Sequence, residues 1–272
     1  MFRRLLGDQM RRRWRSFKGR WMQTLKNLAS PPEYTTDGLE IVEINGVKLV
    51  IDPSVMSESV QERIRKGRLS LPEANFIGKL IEPGERFLEL GGGIGYTSTI
   101  VAKQNKAASV TTFEANPQLI PAMKRTHAMN NVVAEAVNAI VSSRKDRDTV
   151  PFYIHEDFRC SSLVKPGGGI KNVVEVPVMS FQEVLQSRSP TMLMVDIEGA
   201  EKDLFQNIDM SSVKKVYVEL HKNIIWGRGI KRIFDFFSDN QFYYDPPASV
   251  GHVVLFRKLD NPPPVQMIRR TY

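Results

Sequence analysis

The chain has 272 residues, 42% of them hydrophobic and 25% charged, with one cysteine and a formal net charge of +8 at pH 7. This is the composition of a globular chain long enough for one large α/β domain with a sizeable core. No apolar run approaches the roughly 18 residues of a membrane span, the first residues lack the apolar block of a secretory leader, and a lone Cys160 cannot build a disulfide framework or a cysteine-rich metal site, so a reducing, cytoplasmic setting is expected.

Residues 1–30 carry nine basic side chains, Arg3 through Lys26, against one acid, Asp8, and hold the entire net charge. The remainder is balanced, so net charge points to no basic groove in the body and a nucleic-acid partner is not expected. Within this arm Phe2, Leu6, Met10, Trp14, Phe17, Trp21, Leu25 and Leu28 recur every three or four residues, which predicts a helix with one aromatic stripe among arginines, ended by Pro31 and Pro32. Two readings stand side by side: peripheral contact with an anionic membrane at its inner face, or packing of the stripe on this domain or a partner. An organelle presequence is a third.

Next, "LEIVEINGVKLVID" alternates on both sides of Asn45-Gly46, the pattern of a two-residue hairpin. Residues 55–80 read as helical, and Pro83-Gly84 turns the chain into a strand ending at Leu90. A regular alternation follows: helix 95–104, strand 109–114, helix 117–129, strand 133–140. Residues 141–180 interrupt it with a polar, glycine-bearing stretch that reads as an edge hairpin or substrate-side insertion. Strand 191–196, helix 199–207, strand 213–220 and helix 228–239 resume it, and "FYYDPPASVGHVVLFRK" closes the chain as a hairpin. The predicted fold class is α/β, a doubly wound, seven-stranded, mostly parallel sheet with a terminal antiparallel hairpin. The domain boundaries expected are 1–30 for the arm, 31–82 for an accessory hairpin and helix, 83–260 for the ligand-binding domain and 261–272 for a loose tail.

The stretch "RFLELGGGIGYTS" places a glycine turn after a buried strand. A dinucleotide fingerprint counted from Gly91 meets Tyr96 where its third glycine belongs, and a phosphate loop would need a lysine after Gly95. What remains is Glu89-x-Gly91-x-Gly93-x-Gly95, bare backbone suited to a flat ligand without a pyrophosphate. Nineteen residues past Gly95 the next strand ends in Glu114, whose carboxylate can accept both ribose hydroxyls of an adenosine, and Asn116-Pro117 opens the following helix. Glu89, Gly91, Gly93, Gly95, Glu114, Asn116 and, in strand 133–140, Asn138 are the expected cofactor contacts.

"FLELGGGIGYTSTIVAK", "VTTFEANPQL" and above all "LMVDIEGAEKDLF" resemble the FkbM family of S-adenosylmethionine-dependent methyltransferases, over about Leu71 to His221. The resemblance implies a Rossmann-like class I methyltransferase fold, S-adenosyl-L-methionine as cofactor, and methyl transfer to a hydroxyl, often on a sugar or polyketide. The sequence departs from the family twice: Glu89, Gly92 and Gly93 replace the usual aspartate, alanine and asparagine of the glycine turn, and Met194 stands where the family has a lysine before its D-x-E strand end.

Methyl transfer from a sulfonium is an in-line displacement in which the acceptor oxygen must also lose its proton. In doubly wound sheets ligands sit beyond the carboxyl ends of the strands, where this sequence delivers Asp196 and Glu198 on one strand and Glu219 and His221 on the next. These four are the expected catalytic residues, with His221 the general base near neutral pH. Glu201 reads as an acid at the positive end of the following helix. Ligand types alone would also let Asp196, Glu219 and His221 hold a divalent metal, but the assignment is made without one. His127, His155 and His252 share no metal-ligand spacing, "YDPPA" reads as a proline turn, and Cys160 has no evident activating partner. The expected acceptor is a carbohydrate, glycolipid or similar small molecule. The rival readings are an RNA or other nucleic-acid methyltransferase steered by the arginine-rich arm, and a non-catalytic adenosine-binding scaffold.

Overall fold

The computed structural model describes residues 38–69, 71–163 and 168–259. The arm expected over 1–30 and the tail expected over 261–272 lie outside the described residues. Strands β1 (Glu40–Ile44) and β2 (Val47–Ile51) form the expected hairpin, with Ile44 opposite Val47 and both turn residues, Asn45 and Gly46, at positive φ as a tight turn of this kind requires. The predicted helical stretch is two helices, α1 (Glu58–Arg65) and α2 (Leu71–Leu80). There follow β3 (Arg86–Leu90), α3 (Tyr96–Lys103), β4 (Ser109–Glu114), α4 (Leu119–Met129), β5 (Glu135–Asn138) and β6 (Ile140–Ser142). The interrupting segment is a β-hairpin of β7 (Thr149–His155) and β8 (Ile170–Ser180), which with β6 makes a separate three-stranded sheet in the order β6-β8-β7. The chain then runs through α5 (Phe181–Arg188), β9 (Met192–Val195), the short α6 (Glu201–Leu204), β10 (Lys215–Glu219), α7 (Lys222–Asp239), β11 (Phe242–Tyr244) and β12 (Val253–Lys258).

The main sheet has the order β11-β12-β10-β9-β3-β4-β5 and is parallel from β10 to β5, with β12 antiparallel to both its neighbours. Alternation along each strand sorts side chains between two cores. Phe87, Met192, Met194, Tyr217 and Leu255 join the core that also takes the first hairpin and helices α1 to α3, while Leu88, Leu193, Val195, Val218 and Phe256 join the core under α5 and α7. Burial on both faces is why β9 reads Met-Leu-Met-Val without a polar residue.

Two expectations change in detail. Helix 199–207 shrinks to the four residues of α6, and strand 133–140 divides into β5 and β6 because β6 leaves the main sheet to pair with β8. Asp245 of the proline turn is buried against Arg257 at 2.6 Å, and the turn itself is the short 3-10 segment Pro246–Ala248. At the amino ends of the strands the fully buried Lys215 reaches Glu85 at 2.8 Å and the carbonyl of Leu80, tying the start of β10 to the segment between α2 and β3.

Phe237 lies at the centre of the second core, stacked on Phe256 at 4.2 Å between ring centroids and flanked by Phe205 and Phe242. Phe237→Ala is expected to lower unfolding free energy by about 3–5 kcal/mol, measured by urea denaturation.

Candidate active site

The carboxyl ends of β3, β4 and β9 converge on the glycine turn. The amides of Gly91 and Gly92 both donate to the carbonyl of Phe113, and the amide of Asp196 donates to the carbonyl of Leu90. Gly91 has φ +90°, and a Cβ there would lie 1.7 Å from the carbonyl oxygen of Asp196. Only glycine permits that approach. Gly93, also at positive φ, has nothing closer to such a Cβ than Phe158 at 3.7 Å, so its bare backbone faces open space. Its amide donates to Glu114 at 2.8 Å, and the amide of Asn116 donates to the other oxygen of the same carboxyl at 2.7 Å.

These residues line a cavity of about 330 Å³, within the range of small-molecule sites. Glu89, Gly91, Gly93 and Glu114 are on its wall, with apolar faces from Phe113, Leu119 and Ala139. Burial pushes the Glu114 carboxyl up to about 7, against the pull of the Asn116 and Gly93 amides. Burial likewise pushes Glu89 up to about 7. Each oxygen of Glu114 accepts one backbone amide and retains a lone pair for a hydroxyl donor, so bare glycine backbone, an apolar slot and an acid at the neighbouring strand end fit an adenosine-bearing cofactor.

Three of the expected cofactor contacts stand behind that wall. Gly95 caps α3 with φ +82°, and a Cβ there would press on Met123 and His127, so its role is close packing of α3 on α4. Asn116 accepts the amide of Gln118 and lends its own amide to Glu114. Asn138 spends its side-chain amide on the carbonyls of Glu114 and Ala115, bracing the strand end.

On the far side of Gly91 the four expected catalytic residues meet around one imidazole. The Nε2 of His221 lies 3.4 Å from Glu198, 3.5 Å from Asp196 and 3.8 Å from Glu219. The turn after β9 makes this possible: Glu198 takes φ +50° and Gly199 φ +96°, where a Cβ on Gly199 would strike Ile224 of α7. Asp196, Glu198 and Glu219 also line the cavity that holds the glycine turn.

Glu201 proves to be more than a helix-end acid. Fully buried, it accepts the amide of Gly199 at 2.8 Å and the amide of His221 at 2.9 Å, and it lies 3.1 Å from His221 Nδ1. The sequence offers one signal for this, the third acid of "DIEGAE", but only the fold brings the start of α7 to it. His252, which directly precedes β12 and belongs to no motif, also reaches the cluster, 3.0 Å from Glu219.

The crowding sets the protonation states. Burial, then the Glu219 and Glu198 carboxylates, raise Asp196 well above the usual carboxylate range. Burial raises Glu198 to about 7 against the pull of His221. Burial opposes the charge on His221, but Glu201 and the other carboxylates outweigh it and raise the ring to about 9. This direction favours the protonated ring at neutral pH, the opposite of what the general-base role expected for His221 needs. The remaining candidates settle simply: His127 is buried and held by Ser98 at 2.9 Å, His155 accepts the amide of Asp157 through Nδ1, and burial pushes the Cys160 thiol up, away from nucleophilic character.

A cavity that joins a glycine turn to a cluster of acids and an imidazole at the strand ends of a doubly wound sheet is the layout of the class I methyltransferase fold. The sequence profile of the methyltransferase FkbM domain matches residues 89–244, and the chain belongs to this family of S-adenosylmethionine-dependent methyltransferases. No curated protein matches the chain. Among solved structures, the chain is similar to the tRNA (uracil-54, C5)-methyltransferase of Pyrococcus abyssi in complex with S-adenosyl-L-homocysteine (17% identity, 80% of this chain and 43% of that one, TM-score 0.46). It is also similar to Trm5b of Pyrococcus abyssi (15%, 83% and 56%, 0.44) and to TYW2 of M. jannaschii in complex with AdoMet (12%, 81% and 87%, 0.42). The chain thus spans about half the length of the first two.

Two glycine substitutions separate the roles of the turn. Gly91→Ala is expected to disrupt the β3–β9 approach, with a marked loss of thermal stability. Gly93→Ala is expected to cost only about 1–2 kcal/mol in stability for its left-handed backbone, yet to weaken S-adenosyl-L-homocysteine binding at least tenfold in calorimetry, since the added methyl faces the cavity.

Proposed function

We propose that this chain is an S-adenosylmethionine-dependent O-methyltransferase acting on a hydroxyl of a carbohydrate, glycolipid or similar small molecule. The observation that carries the proposal is the sharing of one cavity by the glycine turn with Glu114 and by the Asp196, Glu198 and Glu219 carboxylates. When bound, the cofactor supplies an electrophilic methyl group on a sulfonium.

The chain's own part is to hold and deprotonate the acceptor. Glu114 and the Gly93 backbone anchor the nucleoside side of the cavity, and Asp196 and Glu219 offer carboxylate oxygens to acceptor hydroxyls at the other. Glu198, about a third exposed at the cavity wall, is placed to receive the hydroxyl proton. Glu201 fixes the orientation of His221, and His221 in turn spaces the three carboxylates. So many carboxyl groups at one end of the cavity suit an acceptor that presents several hydroxyls to be hydrogen-bonded. The aromatic and arginine pattern of residues 1–30 supports an acceptor at a membrane surface.

Three measurements test this reading. Labelled methyl from the donor is expected to enter glycolipid or polysaccharide extracts and not RNA, and His221→Ala is expected to lower that turnover roughly 100-fold or more with donor affinity unchanged. Donor affinity is expected to rise with pH through about 7, because hydroxyls donate best to ionised Glu114, and Glu114→Gln should weaken binding and flatten that dependence in calorimetry at pH 6 to 8. Flotation with vesicles containing anionic lipid is expected to require residues 1–30.

A further inference from the structure

The side chains around His221 are arranged as a coordination site. Asp196, Glu219 and His221 each offer a ligand atom, and these atoms lie within 4.8 Å of one another. Adjacent ligands of an octahedral ion with bonds of about 2.1 Å stand roughly 3 Å apart, and His221 Nε2 is 3.5 Å from Asp196 Oδ1 and 3.8 Å from Glu219 Oε1. Small side-chain rotations close that difference.

Two further features point the same way. Asp196 Oδ1 is sealed from solvent and makes no well-formed hydrogen bond among the described residues, His221 Nε2 standing off at 3.5 Å. Glu201, buried on the opposite edge of the ring, lies 3.1 Å from Nδ1 and also accepts the His221 amide. A carboxylate that accepts the N–H of one imidazole nitrogen, leaving the other to give its lone pair to an ion in place of a proton, is the arrangement by which proteins orient a metal-binding histidine. The cluster also gathers four carboxylates, Asp196, Glu198, Glu201 and Glu219, around one histidine, a charge balance that a divalent cation would answer.

We propose that Asp196, Glu219 and His221 bind one divalent cation of the hard class, Mn²⁺ or Mg²⁺, with Glu201 as the positioning residue for His221. Two carboxylates and one imidazole suit this class better than softer metals. The site rests on the methyl-transfer reading only for its purpose: three protein ligands leave positions open on the ion, facing the cavity, where an acceptor hydroxyl can coordinate and become easier to deprotonate. Glu219 Oε1 also meets His252 at 3.0 Å, and that contact must loosen or be shared when the ion binds.

The test is titration of the full chain, freed of metal, with Mn²⁺, followed by calorimetry and by the loss of the free-ion electron paramagnetic resonance signal. One saturable Mn²⁺ per chain is expected, weakened beyond tenfold in Asp196→Asn and His221→Ala. Glu201→Gln should lower affinity about 10- to 100-fold at unchanged stoichiometry. Circular dichroism identifies folded variants, and Glu219→Gln, at a partly exposed position, serves if the others do not fold. No saturable uptake at millimolar Mn²⁺ by wild-type chain that binds S-adenosyl-L-homocysteine would overturn the proposal, as would a site whose affinity is unchanged in the folded ligand variants. Mn²⁺ uptake without any affinity for S-adenosyl-L-homocysteine would leave the cation site standing and remove the methyl-transfer reading.

Discussion

At Gly91 the backbone of one strand end passes so close to the next that a single methyl group would lie 1.7 Å from the carbonyl oxygen of Asp196. Hydrogen bonds from Gly91 to Phe113 and from Asp196 to Leu90 tie β3 to both neighbours at this crossing. The glycine turn with Glu114 lies on one side of it and the acid cluster on the other, so the spacing between the two halves of the cavity is set by main chain rather than by rotatable side chains. That rigidity is what an in-line transfer demands, because misplacement of about 1 Å is enough to cost much of the rate.

The second constraint is the burial of Glu201. A fully enclosed carboxylate is tolerable only with its lone pairs satisfied, and here the Gly199 and His221 amides and the His221 ring do so. The same contacts hold β9's turn against the start of α7, so a structural need and the orientation of His221 are met by one side chain. Glu198 and Gly199 at positive φ accept local strain to aim two acids at that ring.

Much of the fold was legible because its signals are local. The Asn45-Gly46 turn, the apolar run at Met192–Val195 and the strand and helix alternation each follow from short-range periodicity and turn chemistry. Strand-end placement alone brings Asp196, Glu198, Glu219 and His221 under suspicion, and the four side chains do meet in space. What local pattern does not carry depends on partners distant in sequence: the Asn138 side chain braces the Glu114 strand end, and Gly95 packs α3 on α4. The departure at Met194 places an apolar side chain on the cavity wall where the family has a lysine.

By itself the sequence determined the class of fold, the family and the set of polar residues at the strand ends, because hydrophobic period, glycine spacing and the "DIEGAE" block are written in consecutive residues. Tertiary structure alone decided the ring of carboxylates around His221, the burial of Glu201, the arrival of His252 at Glu219 and the apolar lining brought by Phe158 from the inserted hairpin. Protonation and desolvation are properties of neighbours gathered from distant stretches of chain, and no local pattern records which side chains will share one low-dielectric space.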